Sequence, residues 1–232
     1  MSITEITSRS VKVRWKPSFA GNNAIVGFIL EYRAKCFENG NSGGAATIIH
    51  NPNLHKRNPK HLEELWNESK MKEFFINDPN AQSFVLRDLY PWCAYELQMK
   101  AKNSIGISDA SQMANFRTME EMPGGPPLEV NVEPLSSNSL KIKWKSPDKH
   151  LQYGLVKGYY IGYRLVDGTR FPVGDNTGEQ FAYKNVEASG TETNAFEVAY
   201  LTNLKKHTLY SVVVQAFNSA GAGPRSDEVG LV

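Results

Sequence analysis

The sequence predicts an all-β chain of two tandem β-sandwiches. The first observation is an internal repeat, because residues 204–221 repeat residues 89–106 at a constant offset of 115 positions. The second is that alternate residues of each copy are apolar, which is typical of a half-buried strand, and that an Asn-x-x-Gly turn follows. The shared inward positions are Tyr95, Leu97, Met99 and Ala101 in one copy and Tyr210, Val212, Val214 and Ala216 in the other. Turn markers between short strands complete the pattern of a β-sandwich.

Two earlier pairs of segments repeat in the same way. Residues 10–17 and 139–147, at an offset of 129, alternate apolar with basic residues and end at a proline. Each is a strand with one dry and one wet face, ended by a residue that cannot donate to a sheet. Residues 27–33 and 158–164 follow at an offset of 131. Their inward positions are Phe28, Leu30 and Tyr32 in the first copy and Tyr159, Ile161 and Tyr163 in the second.

The changing offset locates an insertion in the first repeat. It falls from 131 to 115 between Tyr32 and Leu89, so the first repeat carries 16 extra residues there, which we place within 37–82. Prolines interrupt this stretch, and a short helical stripe is predicted after Pro59. That stripe consists of Leu62, Leu65, Trp66 and Phe74. The matching part of the second repeat, 167–194, predicts edge strands and loops.

The repeats divide the chain into expected domains at 1–119 and 120–232. The second repeat opens with a strand of alternating apolar residues that begins at Leu128. At the same offset of 129, the equivalent strand of the first repeat would begin before Met1. We therefore expect that the first strand is truncated and that the chain is a fragment of a longer protein.

The repeated strand carries a further signature, a Leu six residues before its first Tyr. This spacing fits a tyrosine corner, in which the phenol packs inward and its hydroxyl bonds a nearby backbone group. Both repeats resemble fibronectin type III domains, which are immunoglobulin-like β-sandwiches. A true immunoglobulin domain differs because its Trp lies on the third strand against a cysteine pair. The residues expected to form the structural core are Trp15, Tyr32, Leu89, Tyr95, Trp144, Tyr163, Leu204 and Tyr210.

A narrower resemblance rests on four segments of the second repeat, namely residues 123–127, 142–147, 158–164 and 210–224. They are similar to the early fibronectin repeats of the Down syndrome cell adhesion molecule (Dscam) family. The resemblance implies a non-enzymatic extracellular fragment of a single-pass receptor whose distal immunoglobulin domains carry most homophilic recognition. The fragment would act as a stalk with lateral contacts between copies, most of all through the 37–82 insertion. That insertion departs from the family pattern and suggests an invertebrate or shortened relative.

Other functional classes find little support in the sequence. A net charge of +2 without blocks of like charge gives no reason to expect nucleic acid. No apolar run is long enough to cross a bilayer. A Gly-rich stretch around Ser42 lacks a preceding His for a triad, and His50, His55 and His61 lie in a proline-interrupted loop. We expect no catalytic residue, metal or cofactor. The alternative function is a ligand-binding or spacer region of another receptor, such as a receptor tyrosine phosphatase.

Two covalent modifications are predicted. Cys36 continues the inward parity of Tyr32, and Cys93 that of Tyr95, so the two thiols meet if these strands are antiparallel neighbours. We favour a disulfide over two buried thiols. Asn67 begins the only Asn-x-Ser/Thr triplet of the chain and is a candidate glycan acceptor.

The wet faces of the second strands form two basic stripes, Lys12, Arg14 and Lys16 in one repeat and Lys141, Lys143 and Lys145 in the other. Such a surface could bind heparan-type glycans. The simpler interpretation, which we favour, is that wet positions of an antiparallel sheet carry charge and deter edge pairing. Lys56, Arg57 and Lys60 are a further candidate for binding acidic glycans.

Overall fold

The computed structural model describes residues 1–16, 23–36, 71–166, 180–190 and 195–231. The chain forms two compact units, a first unit of Met1–Met119 and a second unit of Glu120–Val232. The prediction of an all-β chain is confirmed, because each unit consists of two antiparallel sheets that enclose one apolar core.

The first unit has seven described strands. They are β1 (Ser2–Thr4), β2 (Val11–Arg14), β3 (Ile25–Ala34), β4 (Lys72–Ile76), β5 (Ser83–Leu86), β6 (Ala94–Asn103) and β7 (Ala114–Arg117). One sheet has the order β1-β2-β5 and the other β4-β3-β6-β7. Alternate residues of β2, β3 and β6 face inward, so Val11, Val13, Leu30 and Leu97 are fully buried between the sheets.

The second unit has eight described strands. They are β8 (Leu128–Ser136), β9 (Ser139–Lys145), β10 (Gly158–Val166), β11 (Ala182–Glu187), β12 (Phe196–Leu201), β13 (Leu209–Asn218), β14 (Gly221–Arg225) and β15 (Val229–Leu231). One sheet has the order β12-β9-β8, and the other has the order β11-β10-β13-β14, with β15 also paired to β13. A short 3-10 helix, Lys149–Leu151, is capped by the Asp148 side chain. Trp144, Tyr159 and Ile161 are fully buried in the core.

The strand registers show which residues of the two units are equivalent. Val11 faces Leu86 in the first unit as Leu140 faces Leu201 in the second, which repeats the offsets of 129 and 115. Phe28 faces Ile76 as Tyr159 faces Val186, so β4 and β11 are related by an offset of 110. The extra residues of the first unit therefore all precede Lys72, and the second unit is the longer one between β11 and β12.

The register also corrects the predicted helical stripe. Phe74 lies in strand β4, where it pairs with Leu30 of β3. Its ring contacts that of Phe84 on the opposite sheet, with 4.7 Å between centroids. Phe74 thus belongs to an edge strand rather than to a helix. Leu62, Leu65 and Trp66 lie outside the described residues.

Candidate functional site

Both units contain a tyrosine corner with the same geometry. The Tyr95 hydroxyl accepts a hydrogen bond from the Tyr90 backbone N–H at 2.7 Å, and the Tyr210 hydroxyl accepts one from the Lys205 N–H at 2.9 Å. Tyr95 is 1% exposed, and this burial raises the pKa of its phenol to about 12. Each corner ties the loop before the strand to the core, so the base of each sandwich is held by a side chain as well as by the sheet.

The other expected core residues lie in the same two clusters. Trp15, Leu89 and Trp144 are buried, whereas Tyr32, Tyr163 and Leu204 are partly buried and pack against the buried set. Each Trp meets an aromatic ring of the opposite sheet edge-on. The Trp15 and Phe28 centroids are 5.2 Å apart, and those of Trp144 and Tyr159 are 5.1 Å apart.

A disulfide joins Cys36 to Cys93, with the two Cα atoms 4.5 Å apart. The register of β3 and β6 explains the pairing. Ala34 faces Tyr95, and the ladder continues through a bond from the Lys35 N–H to the Ala94 carbonyl, so Cys36 falls opposite Cys93. The bridge lies at the end of β3 from which the long connection to β4 departs.

Sequence reasoning missed Thr118, which supports this bridge. Its side chain is 1% exposed, and its hydroxyl accepts a bond from the Cys93 N–H at 2.9 Å while donating to the Tyr90 carbonyl at 2.7 Å. One hydroxyl therefore satisfies two backbone groups next to the disulfide. A buried polar residue at the end of a strand carries no distinctive sequence pattern that would have revealed this role.

Several candidate residues lie outside the described part of the chain. They are the glycan acceptor Asn67, the Ser42 stretch, the three histidines His50, His55 and His61, and the basic residues Lys56, Arg57 and Lys60. Within the described ranges, no group of three or more His, Cys, Asp or Glu side chains could hold a metal ion. In the part of the chain that the structure describes, no helical segment has the length and hydropathy of a transmembrane helix.

The basic stripe of the first unit faces an acidic residue. Lys12 and Arg14 approach the Glu5 carboxylate at 3.0 and 3.5 Å. Hydrogen bonding to Lys12, together with the charges of both cations, lowers the pKa of Glu5. Lys16 follows β2 and is exposed. The single Glu5 carboxylate therefore offsets part of the positive charge of Lys12 and Arg14, which weakens the case for a polyanion site.

The basic stripe of the second unit is flanked by acidic and apolar residues. Lys143 pairs with Glu133 at 3.4 Å and Lys145 with Glu129 at 2.8 Å, both on β8. On the other side, β12 places three exposed apolar residues opposite the three lysines. The facing pairs are Phe196 and Lys145, Val198 and Lys143, and Tyr200 and Lys141. The surface is thus mixed in charge and partly apolar.

The outer face of the four-stranded sheet in the first unit is a charge network. Glu31 is only 5% exposed, and its carboxylate accepts from Lys100 and from Gln98, each at 2.5 Å. The Lys100 hydrogen bond lowers the pKa of Glu31, and burial opposes it. Glu96 binds Arg33 at 2.6 Å and Lys35 at 2.7 Å, and the Lys35 hydrogen bond lowers its pKa.

The corresponding face of the second unit is built from aromatic rings and arginines. The Arg164 guanidinium lies 4.8 Å from the Phe181 centroid, and Arg225 lies 5.5 Å from Phe181 and 5.6 Å from Tyr183. These distances suit cation–π attraction. Arg225 belongs to β14 and Arg164 to β10, whereas the rings come from β11 and the residue before it. Three segments that are distant in the sequence therefore build this face together.

Two sandwiches with tyrosine corners and a buried Trp at or directly after the end of the second strand define the class of this protein. The fibronectin type III domain model matches residues 1–117 and 125–230, and the chain belongs to this family.

Relatives narrow the class. The chain is 34% identical over 229 residues to the cell adhesion molecule DSCAM of Gallus gallus and of Homo sapiens, which covers 99% of this chain and 9% of each relative. It is 28% identical over 228 residues to Dscam1 of Drosophila melanogaster, covering 98% of this chain and 9% of that protein. The predicted resemblance to the Dscam family is confirmed. A solved structure of the chicken CNTN1 FN1–FN3 domains covers 100% of this chain and 65% of its own at 22% identity, with a TM-score of 0.39.

Proposed function

We propose that this chain is a non-enzymatic extracellular segment of a cell-adhesion receptor. The observation that carries the proposal is the 34% identity over 99% of the chain to proteins named cell adhesion molecules. The chain spans only 9% of the length of those relatives, so it matches one part of each of them. Adhesion would then be a property of the parent receptor, in which this segment sets the spacing of other domains.

The proposed role of the segment is that of a stalk. Each unit has an apolar core, a buried Trp and a tyrosine corner, features that resist local opening. Such a pair of sandwiches would set how far recognition domains stand from the membrane. The proposed partner is another copy of the same receptor, engaged homophilically between cells or laterally on one membrane.

The proposed location is outside the cell, as part of the ectodomain of a single-pass plasma membrane protein. The Cys36–Cys93 disulfide supports this location, because such bonds persist in oxidising compartments. A glycan at Asn67 is predicted for the same reason. Peptide mapping of the secreted protein, with and without removal of N-linked glycans, tests that modification.

The stalk role is tested in the parent ectodomain by bead aggregation. Deleting the whole segment shortens the stalk, and we expect weaker aggregation because the recognition domains lose reach. Replacing the segment by an unrelated tandem of two fibronectin type III domains is the matched control, and it should restore aggregation. Aggregation that stays absent after this replacement would contradict the stalk role, because it would show that surfaces of the segment itself are recognised.

A further inference from the structure

Among the described residues, strand β12 is an edge strand without a proline, a lysine or a bulge. It ends its three-stranded sheet, and its six residues pair with β9 in one unbroken register. Natural edge strands are blunted by prolines, bulges or lysines. The opposite edge of this sheet, β8, follows that rule, since it contains Pro134 and two register shifts. The sequence of β12, Phe-Glu-Val-Ala-Tyr-Leu, has no proline, lysine or bulge, and its one charged side chain, Glu197, accepts a hydrogen bond from the Ser189 N–H.

The outer face of β12 is also unusually apolar. Phe196 is 49% exposed, Val198 40% and Tyr200 45%, at three successive outward positions. The equivalent strand of the first unit, β5, is shorter and has Ser83 and Val85 at the positions of Val198 and Tyr200. The apolar row is therefore specific to the second unit and is not required by the sandwich itself.

One hydrogen bond shows which backbone groups of β12 face the open edge. The Lys184 ammonium, on β11 of the other sheet, donates to the Tyr200 carbonyl at 2.7 Å. Because β9 occupies the other side of β12, this carbonyl faces the open edge. Alternate residues of a strand face the same side, so the N–H and C=O groups of Phe196 and Val198 face it too. The three residues whose backbone groups face the edge are thus the same three whose side chains form the exposed apolar row.

We propose that β12 pairs antiparallel with β12 of a second copy of this chain, around a two-fold axis at Val198. In that register each edge-facing residue meets an edge-facing residue, Val198 opposite Val198 and Phe196 opposite Tyr200 of the second copy. Aromatic and branched side chains at facing positions stabilise antiparallel pairs, and no like charges are opposed. The two three-stranded sheets become one six-stranded sheet, on whose outer face the two apolar rows lie side by side and in contact.

This inference deepens the proposed function, on which it rests for its biological setting, by naming a lateral surface between receptors. A single strand pair is a small interface, and we expect weak association in solution. Receptors held in one membrane have a high effective concentration, so a weak contact is sufficient there. The Lys184 bond competes with pairing, because the Tyr200 carbonyl cannot serve both partners equally well.

Sedimentation velocity of the full chain over a series of concentrations tests the proposal. We expect a reversible monomer–dimer equilibrium in the unmodified chain. Val198→Lys and Val198→Glu should each weaken dimerisation at least about tenfold, because like charges then meet at the axis. An equimolar mixture of the two variants should dimerise again, since Lys and Glu then face each other. Failure of the mixture to recover would overturn the two-fold register.

Matched variants test whether the contact is confined to β12. Ser83→Lys alters the equivalent exposed position of the first unit and should leave dimerisation unchanged. Lys184→Met removes the competing donor and should strengthen dimerisation, and no increase would count against the edge-facing geometry. Deleting residues 38–70 leaves β4 in place and should have no effect, whereas loss of the dimer would assign the contact to the insertion.

The outcome is independent of the stalk assay. A chain that stays monomeric at every concentration excludes a second copy as the occupant of β12 and overturns the inference, even if the ectodomain aggregates beads normally. Conversely, a dimer that responds to the Val198 pair upholds the inference even if the unrelated tandem fails to restore aggregation.

Discussion

The two units share a skeleton but differ at the centre of the same outer sheet face. Glu31 of the first unit and Gly162 of the second occupy equivalent positions on β3 and β10. The first is a nearly buried carboxylate held by Lys100 and Gln98. The second lies beneath the rings of Phe181 and Tyr183, and a Cβ there would come within 2.8 Å of Tyr183 and of Val213. One backbone position is therefore covered by charge pairing in one unit and by apolar packing in the other.

The contacts between the two sheets at the side of β4 and β5, or of β11 and β12, differ in the opposite way. Here the first unit uses apolar rings and the second unit uses polar groups. In the first unit, the rings of Phe74 and Phe84 close the gap between β4 and β5. In the second, Lys184 reaches from β11 to the Tyr200 carbonyl, and the Ser189 N–H donates to the Glu197 carboxylate. The comparison teaches that the two units share their cores and tyrosine corners and differ in their outer faces and in the contacts between their sheet edges.

The disulfide is the largest difference between the units, and its removal should affect only the first. The entropic model gives about 4 kcal/mol for a bridge with a sequence separation of 57. Reduction, or the double change Cys36→Ser and Cys93→Ser, should lower the stability of the first unit by about that amount. Hydrogen exchange read by mass spectrometry assigns the loss to each unit. Equal loss of protection in both units would show that they do not unfold separately.

Gly162→Val should destabilise the second unit by about 1–3 kcal/mol, the usual range for overpacking. The added atoms would collide with Val213, which is 2% exposed, and displace the Tyr183 ring from beneath Arg225. Hydrogen exchange along a urea series, read separately for peptides of each unit, measures the effect. Gly106→Val in the first unit is a control, since a Cβ there meets nothing within 4 Å. A Gly162 variant that costs its unit no more than the control would contradict the described packing.

The tyrosine corners test what the units share. Tyr95→Phe and Tyr210→Phe each remove one hydroxyl and leave the Tyr90 or Lys205 N–H without its acceptor. We expect each change to cost its own unit about 1–2 kcal/mol. Hydrogen exchange of the two backbone amides should show faster opening in the matching unit alone. If only one of the two variants destabilised its own unit, the two corners would not be energetically equivalent.

Sequence reasoning reached the fold and the disulfide because both follow from periodicity. The parity of Tyr32 and Tyr95, extended to Cys36 and Cys93, needs only the antiparallel register of two neighbouring strands. The aromatic outer face of the second unit could not be predicted from the sequence, for a physical reason. The insertion hid the offset of 110 that places β4 and β11, so the rings of Phe181 and Tyr183 that lie over Gly162 could not be assigned.

The same limit explains the individual misses. The predicted helical stripe is wrong at Phe74 because a short apolar run fits the period of a helix as well as that of a strand. Only the pairing of Phe74 with Leu30 shows that the residue lies in a strand. The contacts of Arg225 escape sequence reasoning because the rings beneath it come from a segment about 40 residues earlier in the chain, and sequence spacing carries no information on that contact.

The smallest expected effect concerns acid stability of the first unit. The folded-state pKa of Glu31 is lowered below its ordinary value of 4.5, chiefly by the Lys100 hydrogen bond. The carboxylate therefore stabilises the folded state above that value, and this contribution is lost as the pH falls through the lower, folded-state pKa. Glu31→Gln should lower the free energy of unfolding by about 1 kcal/mol or less at neutral pH, the scale of a partly exposed ion pair. The difference from the unmodified chain should shrink in acid.

Urea denaturation between pH 7 and pH 3 measures this difference in unfolding free energy, and Glu133→Gln on the second unit is the control. A difference that grows as the pH falls would contradict the direction of the pKa shift and show that the Lys100 contact does not stabilise the first unit.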